Sequence, residues 1–185
     1  MKIPVVVQHR HVHLSQMDRH SLFGDQVFHA QRELGHKGQF VSDTFVKVVG
    51  PNGIFENVRV LGPERDQTQI ELSASDAFAL GLQAPTRVSG DLARAGTCGL
   101  KGPNGEVKAS YSTIIPARHF HCSPSVAHQL GVSHLDIISA KTTVSDELIE
   151  HIVVRVHPTY SLEFHLTKDE AAELWLHSGD FVKLV

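Results

Sequence analysis

Thr44-Phe45-Val46-Lys47-Val48-Val49-Gly50-Pro51-Asn52-Gly53-Ile54-Phe55-Glu56-Asn57-Val58-Arg59-Val60-Leu61 is the stretch that decides the fold. β-Branched and aromatic residues crowd both halves, and such side chains fit a pleated surface better than a helix. Asn-Gly between the halves suits a tight reversal, because both residues tolerate positive φ. The segment reads as a β-hairpin whose second strand ends at Gly62-Pro63. Gly102-Pro103-Asn104-Gly105 repeats the turn. The repeat is either a second turn of the same kind or a related strand-turn-strand unit of a barrel.

Outward from the hairpin, most segments read as short strands: residues 3–7, 68–72, 135–139, 149–156 and 181–185. Helices are few and short. Ser73 or Ser75 caps one that Gly81 stops, and Ser123-Pro124 opens another that ends at Gly131. Thr167 with Glu170 forms a capping box for a third, and residues 15–23 are a fourth candidate. Residues 24–42 show no clean period and read as a loop or crossing linker. Many short strands with Gly/Pro turns predict a mostly β protein, a barrel or a sandwich.

Of the 185 residues, 41% are hydrophobic and 20% charged, enough for a packed core. Seventeen basic against 20 acidic residues give a net charge of -3, which excludes a general nucleic-acid binder. Two cysteines, Cys98 and Cys122, make no disulfide scaffold. No run reaches the roughly 18 apolar residues of a membrane span, and residues 1–7 lack the pattern of a signal peptide. The expectation is a soluble, cytoplasmic protein. Gly-x-Gly-x-x-Gly, the P-loop and Gly-x-Ser-x-Gly are absent, which argues against dinucleotide, ATP and serine-hydrolase chemistry.

Fourteen histidines are the unusual feature. Arg10-His11-Val12-His13-Leu14-Ser15 is echoed by Arg118-His119-Phe120-His121-Cys122-Ser123. On a strand, His11 and His13 share one face, as do His119 and His121. Two imidazoles on one face chelate an ion, and zinc takes nitrogen at roughly 2.0–2.1 Å. His165 ends another strand before a capped helix and is a third candidate. Zinc is favoured over copper, nickel or iron because nothing suggests redox chemistry. His9 alternates in phase with His11 and His13 and is a possible extension of that pair. The other histidines lack paired spacing and default to structural or surface roles. Cys122 points away from His119 and His121 and suits packing. Arg87, in Ala84-Pro85-Thr86-Arg87-Val88-Ser89-Gly90-Asp91, offers a guanidinium beside a turn for an anion. Arg10 and Arg118 are open to anion binding or carboxylate pairing.

These motifs, with residues 56–63 and His165-Leu166-Thr167-Lys168-Asp169-Glu170-Ala171, span nearly the whole chain. Together they resemble the phosphate propanoyltransferase family, the zinc-dependent phosphotransacylases of bacterial 1,2-propanediol utilisation. The resemblance implies two small β-barrels with short helices, the N-terminal strand joining the C-terminal barrel. Residues 1–15 with 114–185 are expected as one barrel, residues 36–113 as the other, and 16–35 as the linker. The implied reaction moves a short acyl group, propanoyl or acetyl, reversibly between coenzyme A and orthophosphate. Two zinc ions are implied between the barrels, one on His11 and His13, the other on His119, His121 and His165. The second faces the coenzyme A sulfur, so His119 and His165 also bind that substrate, and Arg87 engages phosphate. A homodimer and association with a bacterial microcompartment are further implications.

The chain departs from the family at Ala93, where a glutamate usually ligates the first ion. Asp91 reaches that ion only if the loop shifts, and His9 is a speculative substitute. A different zinc-dependent hydrolase, or a non-catalytic barrel that keeps metal or coenzyme A, are the alternative readings. Dependence on phosphate separates the first from a transferase, and binding without turnover marks the second.

Overall fold

The computed structural model describes residues 1–185. The elements in chain order begin with β1 (Ile3–Gln8), β2 (His11–Ser15), α1 (Gln16–Phe23), β3 (Ala30–Glu33), β4 (Phe40–Gly50) and β5 (Gly53–Arg65). Next come β6 (Gln69–Glu71), α2 (Ala74–Leu80), β7 (Thr86–Arg87), β8 (Gly96–Lys101) and β9 (Glu106–Pro116). The chain closes with β10 (His119–Cys122), α3 (Pro124–Leu130), β11 (Ile137–Thr142), β12 (Leu148–Val156), β13 (Glu163–Thr167), α4 (Lys168–Glu173) and β14 (Phe181–Leu184). No helix is long and apolar enough to cross a membrane.

Two compact units result. The first comprises Met1–His9, Gly35–Lys37 and Ala117–Val185; the second comprises Arg10–Leu34 and Gly38–Pro116. In the first unit, β1, β13, β10, β12, β11 and β14 close into a barrel. In the second, β2, β6, β9, β8, β4 and β5 close likewise, with β3 and β7 on its margins. Closure removes the unpaired strand edges that an open sheet exposes.

The two rings share one pairing plan. β2 lies parallel to β5 and antiparallel to β6, and β6 lies parallel to β9. Correspondingly, β10 lies parallel to β12 and antiparallel to β13, and β13 lies parallel to β1. The remaining three contacts of each ring are antiparallel. Thus β1, from the start of the chain, fills in the first barrel the place that β9 fills in the second.

Strand alternation builds each core. Val12, Leu14, Ile70 and Leu72 enter one apolar cluster, while Phe120, Cys122, Phe164 and Leu166 enter the other. The intervening residues of these strands face away, and they are the polar ones. A hydroxyl follows each strand and caps a helix: Ser15, Ser73, Ser123 and Thr167 accept from the backbone N–H three residues on. Gly81 and Gly131 end α2 and α3 at φ 69° and 68°, a left-handed turn that only glycine makes without strain.

Three expectations change. The segment His11–Ser15, expected in the discontinuous barrel, pairs with β5 and β6 of the second unit, where Val12 and Leu14 find their core. Residues 16–35 are not a linker. Most of the segment is α1, which buries Leu22 and Phe23, and β3, which pairs with β4. All four β3 side chains are exposed, so no hydrophobic alternation marked the strand. β5 runs on through Gly62-Pro63 to Arg65 rather than ending there. The repeated Gly-Pro-Asn-Gly closes two hairpins of one barrel, β4–β5 and β8–β9, so it is the histidine echo that relates the two barrels.

Burial predicts the cost of truncation. Phe164, 1% exposed, should lose about 3–5 kcal/mol on Phe164→Ala. Phe78, 85% exposed, should change by less than about 0.5 kcal/mol on Phe78→Ala. Denaturant titration of both variants checks the contrast.

Candidate active site

In the second unit, antiparallel pairing sets His11 opposite Glu71 and His13 opposite Gln69. All four are buried. His11 Nε2 lies 3.4 Å from Glu71 Oε2, and the two histidine rings stand edge to face at 5.1 Å. One donor atom from each of His11, His13 and Glu71 lies within 4.8 Å of the others. Gln69 Nε2 and Ser89 Oγ donate to Glu71 Oε1 at 2.6 and 2.9 Å, and Gly90 N–H holds Gln69 Oε1. Arg65 donates from one guanidinium nitrogen to His13 Nε2 at 2.9 Å. That ring nitrogen therefore presents a lone pair, and the group it meets is a cation.

Burial works to raise the Glu71 pKa, yet the charge and hydrogen bond of His11, with His13 and Arg65, hold it well below the usual carboxylate range. A buried carboxylate kept ionised among imidazoles matches the donor set of a divalent transition metal.

The first unit repeats the arrangement. His119 stands opposite His165 and His121 opposite Glu163. The rings of His119, His121 and His165 lie 4.5–4.9 Å apart. Donor atoms of His36, His121, Glu163 and His165 all lie within 4.8 Å of one another. His165 Nε2 is 2.9 Å from Glu163 Oε2, and His119 Nδ1 is 2.8 Å from the Ala117 carbonyl. The Nδ1 atoms of His121 and His165 are buried with no hydrogen-bond partner. Such orphaned acceptors fit a group that arrives from outside, as a metal does. Burial, then the positive charge of His119, His165, His36 and Arg155, pushes the His121 pKa down and keeps its ring neutral, the form that ligates. The Glu163 pKa is lowered by its hydrogen bond to His165, against burial and with help from the charges of His165 and His36.

The arginines before each histidine pair do the same work in each unit. Arg10 reaches Asp76 of α2 at 2.7 Å, and Arg118 reaches Glu170 of α4 at 2.9 Å. Each ties the start of a histidine strand to the helix after its partner strand. Arg87 folds onto the carbonyls of Thr86 and Ala93, with Asp91 at 3.7 Å. His9 is exposed, and Cys98 and Cys122 are buried free thiols whose pKa values burial raises.

Sequence reasoning missed Glu71, Glu163, His36 and Arg65. A signal for the first two was present. Gln69-Ile70-Glu71-Leu72-Ser73 matches Glu163-Phe164-His165-Leu166-Thr167 in pattern, with the capping hydroxyl two places after the donor. By register and cap, Glu71 is the second unit's counterpart of His165.

These clusters define a two-barrel protein with two candidate metal centres. The sequence model of the family described as phosphate propanoyltransferase matches residues 4–177. Phosphate propanoyltransferases of Thermotoga maritima and Shewanella putrefaciens are 42% and 38% identical, over 99% and 97% of this chain and 89% and 86% of their own. That of Klebsiella pneumoniae is 40% identical over 91% of this chain and 81% of its own. The chain belongs to the phosphate propanoyltransferase family.

The depressed carboxylates fix a pH dependence. Their contribution to stability is present above the ordinary glutamate pKa of about 4.3 and is lost as pH falls through the lowered folded values. Thermal melting of metal-free protein should show this decline on acidification, and Glu71→Gln should flatten it.

Proposed function

We propose that the chain is a phosphate acyltransferase moving a short acyl group, propanoyl or acetyl, reversibly between coenzyme A and orthophosphate. Family membership over nearly the whole chain carries this reading, and two groups of metal-type donors support it, His11, His13 and Glu71 in one and His36, His121, Glu163 and His165 in the other. His11, His13 and Glu71 would hold one ion, and His119, His121 and His165 the other. Glu71 answers the departure at Ala93: the carboxylate comes from β6 rather than from the loop. Zinc is the ion proposed, since the donors are nitrogen and oxygen and acyl transfer involves no redox change. When bound, zinc supplies a Lewis acid for phosphate and carbonyl oxygens and an acceptor for the coenzyme A sulfur.

Arg87 and Arg65 supply positive charge for phosphate. Two of the Arg87 donors go to backbone carbonyls, which fixes the guanidinium plane and leaves others for a two-point contact with phosphate oxygens. Phosphate oxygen then bonds to the thioester carbonyl carbon, the carbon–sulfur bond breaks, and its electron pair leaves on sulfur. No protein nucleophile is needed, and both cysteines are buried with raised pKa values. The reading extends to a propanediol-utilisation setting, a homodimer and microcompartment association. Light scattering and co-sedimentation with shell preparations test the last two.

Acyl phosphate should form from acyl-coenzyme A only when phosphate and metal are present. His119→Ala and His165→Ala should each lower kcat/KM by more than about 100-fold. Glu71→Gln should cost the second unit its metal in elemental analysis and spare the first unit's. Release of free acid at equal rate without phosphate would reject the transferase in favour of a hydrolase.

A further inference from the structure

In each unit the strand antiparallel to the histidine pair carries two polar residues on one face: Gln69 and Glu71 on β6, Glu163 and His165 on β13. The second of each two stands opposite the first histidine, His11 or His119, and is a metal ligand in the reading above. The first stands opposite the second histidine, His13 or His121, and reaches the ligand two residues on. Gln69, 1% exposed, donates from Nε2 to Glu71 Oε1 at 2.6 Å, and its own Oε1 accepts the Gly90 N–H at 2.9 Å. Ser89 Oγ donates to the same Glu71 oxygen at 2.9 Å, so Oε2 is the oxygen turned to His11 Nε2, at 3.4 Å. Glu163 Oε2 meets His165 Nε2 at 2.9 Å. An ionised carboxylate only accepts, so this contact puts the imidazole proton on Nε2 and the lone pair on Nδ1, which is buried without a hydrogen-bond partner. Glu163 is itself backed by Gly35, where a Cβ would stand 2.5 and 2.6 Å from its carboxylate oxygens.

We propose that Gln69 and Glu163 are positioning residues, each orienting the metal ligand two places further along its own strand. The inference rests on the acyltransferase reading above for the identity of those ligands. The polarity of each pair is matched. A carboxylate ligand needs a donor to fix which of its two oxygens it presents, and the Gln69 amide supplies one. An imidazole ligand needs an acceptor for its one N–H, and the Glu163 carboxylate supplies that. Strand geometry makes both arrangements possible, because residues i and i+2 share a face. Gln69 has a second attachment, since its acceptor end ties the Ser89–Gly90 turn to the centre. Glu163 lies in one donor group with His36, His121 and His165, but its short contact commits it to the His165 ring rather than to an ion.

The test reads zinc affinity of the full chain by competition with a chromogenic chelator. Gln69→Met and Glu163→Leu should each weaken one zinc ion by about 10- to 100-fold and leave the other unchanged. The double variant should weaken both, each by its single-variant factor, because the two residues serve different centres. Glu163→Gln keeps a neutral acceptor for His165, so it should recover most of the affinity that Glu163→Leu loses. Wild-type affinity for both ions in a single variant overturns the role of that residue, as does weakening of both ions, the mark of a general structural loss. A Glu163→Gln protein as weak as Glu163→Leu makes Glu163 a ligand and overturns its positioning role. Failure of zinc-loaded wild type to form acyl phosphate from acyl-coenzyme A and phosphate overturns the acyltransferase reading instead, since zinc affinity is read without turnover. Should Q69M or E163L not fold, Gln69→Asn and Glu163→Asp, whose polar groups stop one carbon short of the ligands, are judged by the same criteria.

Discussion

A β-strand offers one face to its own sheet's core and the other to whatever lies outside, and both candidate centres depend on that division. In β2, β6, β10 and β13 the inward residues are Val12, Leu14, Ile70, Phe120, Phe164 and their neighbours. The outward residues are His11, His13, Glu71, His119, His121 and His165, and all are buried. Burying a polar group without a partner costs free energy, so these side chains are tolerable only in each other's company or around a ligand. Hydrogen-bonded pairing across two strands is what fixes the company: His11 must face Glu71 once β2 and β6 are in register, and His119 must face His165. The hydroxyl caps reinforce the register, since each ends its strand at a set distance from the donor.

The two barrels share this plan but place the ionised carboxylate differently, opposite His11 at Glu71 in the second unit and opposite His121 at Glu163 in the first. In the second unit a carboxylate held ionised stands at the position that His165 holds in the first, and Arg65 and Ser89 surround it. The first unit is richer in neutral nitrogen, with His121 pushed away from protonation. Oxygen-rich sites favour hard oxygen ligands, and imidazole sites accept softer partners.

Much of this was legible in residue order, and the rest was not for identifiable reasons. Val46, Val48, Val58 and Val60 flank an Asn-Gly turn, so the β4–β5 hairpin declared itself, as did the histidine pairs on either side of a core residue. β3 did not, because four exposed side chains carry no period. The boundary after His9 was invisible, since β1 and β2 are both apolar strands and only long-range pairing assigns them to different rings. Glu71 escaped because a carboxylate stands where the other unit has His165, so no histidine pattern marks it. His36 had no local signal at all. Its neighbours in sequence are a loop, and its chemical neighbours His121 and His165 lie 85 and 129 positions further along the chain.

The shared plan bears directly on Ala93. If the second unit's oxygen ligand had to come from the loop after Arg87, alanine there would leave a histidine pair alone, and two imidazoles hold a metal weakly. Strand pairing makes a different source available. Glu71 is delivered by β6 in register with His11, just as His165 is delivered by β13 in register with His119. Ligands on paired strands are positioned by the backbone ladder, whereas a loop ligand must be ordered at an entropic cost. Arg87, freed from any glutamate at position 93, instead grips the Ala93 carbonyl, so the loop keeps a fixed shape without contributing a side-chain ligand. A candidate centre built this way keeps its geometry because the barrel rather than the loop defines it.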